Sequence, residues 1–206
     1  MKERNTKQEI LNASLDLFST KGYEATSTSQ IAEAVGIRKS SLYCHFDGKQ
    51  EILDSLIQNV LEQYQEHSIF VTTDWNDPNF TKDKENITVN EIIQMILHQV
   101  KFIINNSQIS KARKMLVIEQ FRNTQMAELQ TKQNYTNVMN YFIGFIEFLI
   151  KNKKLINCDS KIMAAQLCLP ISAWISLCDR EPEKEEETLK LIEQHIKQFF
   201  EIYKAN

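Results

Sequence analysis

The chain has 206 residues, 42% of them hydrophobic and 25% charged, a composition that fits a soluble globular protein and leaves room for one large or two small domains. Four glycines and three prolines in the whole chain argue against a sheet protein, which needs more turn residues, and for helix nearly throughout. The net charge of -3 excludes a global field that gathers nucleic acid, and residues 1 to 50 hold seven basic against six acidic side chains, so attraction to DNA must come from local clusters such as Arg38-Lys39 and Lys49.

A first helix is expected from a Thr6 cap to about Lys21, with Ile10, Leu11, Ser14, Leu17 and Phe18 on one face. Ahead of it, Lys2 and Arg4 either reach phosphate as an arm or form a solvated terminus. The stretch Gly22 to Phe46 then resolves into two short helices. Ser27 can cap a helix whose Gln30 reaches back to it, Ile31, Ala32 and Val35 share one face, and Gly36 follows where a left-handed backbone must end the helix. From Lys39 to His45 a second helix turns Leu42, with Phe46 four residues on, inward and leaves Lys39, Ser40, Ser41, Tyr43 and His45 facing out. No acid lies between Gly36 and Phe46, and the outward side chains are all partners for phosphate or base edges. This is a helix-turn-helix pattern, although two helices joined at a glycine occur in many all-helical domains.

Here the residues carry a resemblance. Leu17-Phe18, Lys21-Gly22-Tyr23, Thr26, Ile31-Ala32-Glu33-Ala34-Val35-Gly36, Ser41-Leu42-Tyr43, His45-Phe46, Lys49 and Ile52-Leu53 fall in one gapless register that resembles the N-terminal domain of the TetR family of bacterial one-component transcription regulators. The match runs from Ile10 through Leu53, about a quarter of the chain. The resemblance implies an all-α fold with two domains: residues 1 to 47 as a three-helix DNA-binding domain, and residues 48 to 206 as a larger helical domain for ligand binding and dimerisation. Two positions depart from the family pattern. Arg38 stands where the family often has a capping serine or threonine, and an arginine cannot accept the N–H bonds a cap offers, so we expect it to contact DNA. Cys44 stands where an aromatic or histidine is usual, and is either a small, partly buried residue or a redox-sensitive thiol.

A fourth helix is expected from Asp47-Gly48-Lys49 through Ile52, Leu53, Leu56, Val60 and Tyr64 to about His67, with Lys49 and the helix N-terminus both favouring a phosphate. From Ser68 to Thr88 the chain is polar and irregular, and Trp75 and Phe80 within it either cover a ligand or close the core. Further helices are expected from a Thr88 cap to about Asn105, from Ser110 to about Met126 with Met115, Ile118 and Phe121 on a stripe, from about Glu128 to Asn152, from Ser160 to Cys178, and from Glu183 to Lys204. The last two carry more apolar surface than one packed pair needs, and the resemblance implies that they meet their copies in a homodimer.

No motif of an enzyme is present. The four histidines, His45, His67, His98 and His195, have no i+4 histidine partner, there is no glycine-rich phosphate loop or nucleophile elbow, and Glu183 to Glu187 reads as a solvated charge run. Cys44, Cys158, Cys168 and Cys178 show no metal spacing, so we expect reduced thiols, no metal and no cofactor. No apolar run approaches the ~20 residues that span a bilayer, and the charged start of the chain has no apolar segment behind it, so a cytoplasmic protein without membrane contact is expected.

The functional expectation is a sequence-specific DNA-binding transcription regulator, a repressor released from double-stranded operator DNA by a small apolar or amphipathic ligand. The alternatives are a DNA-binding regulator without an inducer and a protein-interaction module. DNA contacts are expected from Thr26, Ser27, Arg38, Lys39, Ser40, Ser41, Tyr43, His45 and Lys49. Candidates for the ligand pocket are Tyr64, Met95, Phe102, Glu119, Phe121, Tyr135, Phe142 and Trp174, although aromatics and methionines at helical spacing are more often plain core.

Overall fold

The computed structural model describes residues 5–205, so the arm expected at Lys2 and Arg4 lies outside the described residues. The all-α class holds: among the described residues the one β-type pairing is an isolated bridge between Leu155 and Lys204. The helices are α1 (Thr6–Lys21), α2 (Thr28–Val35), α3 (Lys39–Leu42), α4 (Lys49–His67), α5 (Ile69–Thr72), α6 (Pro78–Thr81), α7 (Val89–Asn105), α8 (Ser107–Glu119), α9 (Thr124–Thr131), α10 (Asn137–Lys151), α11 (Ser160–Arg180) and α12 (Glu185–Tyr203). A π-helical turn at Lys132–Thr136 precedes α10, and 3-10 turns lie at Lys82–Lys84 and Pro182–Lys184.

The chain packs as two compact units, Met1–Glu66 with Ser107–Gln130, and His67–Asn106 with Thr131–Asn206. This division follows packing, and it differs in kind from the functional division expected at residue 47: α4, α8 and α9 belong with the first three helices.

In the first unit α1 starts one residue earlier than its expected cap, because the Asn5 side chain accepts the Gln8 N–H at 3.1 Å. Its buried face carries Ile10, Leu11, Leu15 and Phe18, while Leu17 is only half-buried, so the core-facing stripe is rotated from the expected one. Ile31, Ala32, Leu42, Phe46, Ile52, Leu53 and Leu56 close on it from α2, the α3 segment and α4, and Met115, Leu116 and Met126 join from α8 and α9. Full burial of Phe18 and Phe46 contributes about 1.5–3 kcal/mol each. Where one helix was expected from Ser110 to Met126, the chain breaks at 120–123. The Asn123 side chain accepts the Met126 N–H at 3.2 Å and starts a new helix. Beside the break, Ile118 and Phe121 are exposed rather than inward, Phe121 at 90%.

The second unit is built around α10, whose Tyr141, Phe142, Phe145, Ile146 and Leu149 are buried, with α7, α11 and α12 packed around it. Trp75 closes this core from the polar segment between α5 and α6: it is 5% exposed, and its ring lies 4.8 Å from Phe145, 5.3 Å from Phe148 and 5.2 Å from Phe80. Gly144 gives it room, since a Cβ there would stand 3.3 Å from the Trp75 Cβ. Among the described residues one helix, α11, is long and apolar enough by length and composition to cross a membrane, against the expectation of no such run. Here its Met163, Ala164, Leu167, Cys168, Ile171 and Ile175 are buried in the second unit's core.

Candidate DNA-binding site

Local rules fix the reading head. The capping box at the start of α2 forms as expected: the Gln30 N–H donates to Ser27 Oγ at 3.2 Å, and the Ser27 N–H donates to Gln30 Oε1 at 2.8 Å. Gly36 ends α2 in the left-handed region at φ 73°, ψ 34°, and the Ile37 N–H returns to the Ala32 carbonyl. Arg38 then stands at the N-cap of α3 with an extended backbone and makes no side-chain cap bond. The second helix is shorter than the expected Lys39 to His45. After Leu42 the chain tightens, with Cys44 N–H bonded to Ser41 O and His45 N–H to Leu42 O, and this shorter winding carries Phe46 into the core.

The face that results is basic and open. Ser27, Arg38, Lys39, Ser40 and His45 are exposed, Ser41 is half-buried, and Tyr43 is exposed with its phenol 3.3 Å from Thr28 Oγ1. Lys7 joins from α1, its ammonium 5.3 Å from the centre of the Phe46 ring. Cys44 is exposed, not partly buried, and its thiol donates to Ser40 O at 3.5 Å.

Two expected contact residues are engaged inside the protein. Thr26 is 1% exposed and its hydroxyl donates to Gly22 O at 2.8 Å, so that its side chain closes the turn between α1 and α2. Lys49 donates to Tyr23 O at 2.8 Å and lies 4.1 Å from the centre of the Tyr23 ring. Both hold the turn at Tyr23 rather than pointing freely outward, and the two further N–H donors of the Lys49 ammonium remain for a phosphate.

That turn has a third support, from α8. Glu119, at the end of α8, was a candidate for the ligand pocket. It is 2% exposed and accepts the Tyr23 N–H at 2.7 Å, and a Cβ on Gly22 would stand 2.8 Å from its Oε1. The rest of α8 lies along α1, with Gln108 bonded to Asn12 and Lys111 paired with Asp16. Burial, with Glu24 and Asp54 behind it, raises the Tyr23 phenol pKa, and the phenol donates to Gln50 Oε1 at 3.0 Å. The signal in the sequence was a carboxylate in an apolar helical stretch, which pointed to a polar role without naming its partner.

The other pocket candidates are divided between the two units. Tyr64 and Phe121 belong, with Glu119, to the first unit, and Tyr64 is buried while Phe121 stands in solvent. In the second unit Phe142 is buried core, Met95, Phe102 and Trp174 pack on that core, and Tyr135 is 53% exposed. Phe121 lies in the break between α8 and α9, and Tyr135 in the π-helical turn before α10. Trp174 meets the His195 ring edge-on at 5.4 Å.

Residues 10–56 match the family model described as bacterial regulatory proteins, tetR family. The negative transcriptional regulator IcaR of the biofilm operon icaADBC from Staphylococcus epidermidis is 38% identical over 58 residues, 28% of this chain and 31% of IcaR. The chain therefore spans less than a third of the length of the curated relatives it matches. Among solved structures, a TetR-family regulator from Mesorhizobium loti aligns over 100% of both chains with a TM-score of 0.63 at 15% identity. SmeT, the repressor of the Stenotrophomonas maltophilia multidrug efflux pump SmeDEF, aligns over 97% of this chain and 91% of its own with a TM-score of 0.62 at 18% identity. SmeT has also been solved in complex with triclosan.

Proposed function

We propose that this chain, whose residues 10–56 match the family model of bacterial regulatory proteins of the tetR family, is a sequence-specific DNA-binding transcription regulator, a repressor released from its operator by a small-molecule ligand. The observation that carries this reading is the exposed, acid-free face from Arg38 to His45, mounted on a helix-turn-helix whose turn is fixed by the Ser27–Gln30 box and Gly36. Arg38, Lys39, Ser40 and Ser41 read base edges in the major groove. Ser27, Tyr43, His45 and Lys49 hold phosphates, and the buried Thr26 contributes through the turn it closes.

The site is used twice, in a homodimer that places two heads on successive major grooves of a near-palindromic site. In support, α11 leaves Ile162 57% and Leu169 39% exposed, seven residues apart, and α12 leaves Leu191 40% and Ile202 61% exposed. The family relation supports a cytoplasmic protein that meets double-stranded operator DNA. The triclosan complex of SmeT supports a small apolar or amphipathic ligand, which acts by favouring one of two head arrangements.

The test is a footprint on DNA flanking the chain's own gene, with affinity measured from low to moderate salt and with candidate ligands added. We expect a protected near-palindrome and a steep salt dependence. Lys39→Ala is expected to weaken binding by about 1–3 kcal/mol and to relax specificity at the base that Lys39 reads, with the salt dependence retained. Protection that is absent at every salt concentration would leave a protein-interaction module. Protection unchanged by any ligand would favour a regulator without an inducer.

A further inference from the structure

We propose that the second unit holds a binding site for a small amphipathic anion, a free medium-chain carboxylate, between the start of α7 and the C-terminal ends of α10 and α12. A cavity of about 390 Å³ opens there, within the size range of small-molecule sites. Its floor is apolar and buried: Ile92 is 1% exposed, Leu149 0% and Phe200 7%. Its mouth is cationic, with the ammonium-bearing Lys154, Lys197 and Lys204 in the lining against one carboxylate, Glu201. An alkyl chain on the floor with a carboxylate at the mouth satisfies both parts at once; a neutral oil leaves the lysines unused, and an alkyl ammonium is repelled by them.

Three features make this a built site rather than a chance grouping of surface lysines. The backbone brings two of the lysines together: the Ile156 N–H bonds to Tyr203 O at 2.9 Å, the Ala205 N–H to Lys154 O at 3.2 Å, and Leu155 bridges Lys204. Leu155, 2% exposed, anchors that pairing. Lys197 is paired with Glu193 at 2.6 Å, whereas the side chains of Lys154 and Lys204 have no ion-pair partner among the described residues, so their charge is available. The start of α7 cannot supply the anion contact itself. Thr88 Oγ1 accepts the Glu91 N–H at 3.2 Å, and the Glu91 carboxylate caps Thr88 in return, which leaves the lysines as the anchoring group. None of the eight pocket residues expected from the sequence lines this cavity, and the proposal does not depend on DNA binding.

The test is calorimetric titration of the full chain with sodium decanoate at low salt, beside octanoate and decyltrimethylammonium. We expect saturable one-site binding of decanoate, about fourfold weaker for each methylene removed and weakened by added salt, with none for the ammonium. Lys154→Gln with Lys204→Gln should weaken decanoate binding about fivefold or more. Val89→Trp, at a 40% exposed position in the wall, should block it while circular dichroism stays unchanged. The proposal is overturned if decanoate does not saturate, if the ammonium binds equally, or if neither the lysine pair nor the tryptophan alters binding in folded protein. It is likewise overturned if the chain sediments with phosphatidylglycerol vesicles and decanoate does not compete, since the lysines would then serve a lipid surface.

Discussion

At Gly22 a side chain is excluded twice. Its backbone, at φ 86° and ψ 161°, lies in a region that is essentially glycine's alone, and the space a Cβ would need is taken by Glu119 Oε1. Gly22→Ala is therefore expected to cost about 2–4 kcal/mol. Glu119→Ala strands the Tyr23 N–H and should cost about 1–3 kcal/mol. Equilibrium urea unfolding of the double variant should fall short of the sum, because Glu119→Ala removes the atom that Gly22→Ala would strike; strict additivity would contradict the contact. Arg38 gives a second prediction at this scale. A serine there would supply the missing cap of α3, so Arg38→Ser should stabilise the protein by about 1 kcal/mol while lowering operator affinity. Unchanged affinity in moderate salt would remove Arg38 from the DNA contacts.

Among the elements, those whose ends are set by short-range chemistry were legible in the sequence. The Ser27–Gln30 box, the Thr88 cap and the glycine at 36 each depend on residues three or four apart, and they bound α2 and α7 as expected. The break at 120–123 was hidden because Asn123 caps from within a stretch that reads as continuous helix, and the inward role of Leu15 was hidden because α1 is contacted from two sides, by α2 and by α8. Lys49 and Thr26 were legible as members of the head but not in their orientation, because the Tyr23 carbonyl and the Gly22 carbonyl that bind them are set by the fold. Trp75 posed a choice between ligand cover and core that only packing could decide. It is core, so Trp75→Ala should cost about 3–5 kcal/mol and remove much of the near-ultraviolet circular dichroism, which isolates the segment between α5 and α6 as part of the second unit's interior.

For the whole molecule, burial predicts a fragility at high pH. Burial pushes the Cys168 thiol from an ordinary value of 9.0 up to about 12 and raises the Tyr141 phenol as well. Both stay protonated in the folded chain while the unfolded chain ionises, so stability is intact below about pH 9 and falls between about 9 and 12, by at most ~1.4 kcal/mol per pH unit for each group. Urea midpoints measured from pH 8 to 11 should show the decline, and Cys168→Ala should flatten it. Thiol reagents should reach the exposed Cys44 and Cys158 in native protein, and the buried Cys168 and Cys178 only on unfolding. The first unit is also interrupted in sequence, since 40 residues separate Glu66 from Ser107. During synthesis the head therefore cannot complete its core when its own first 66 residues emerge: Leu15, Phe18 and Leu56 wait for Met115, Leu116 and Met126. A nascent chain stalled at residue 66 should remain protease-sensitive and one stalled beyond residue 130 resistant, so the helix-turn-helix gains its full support only after most of the polypeptide has been made.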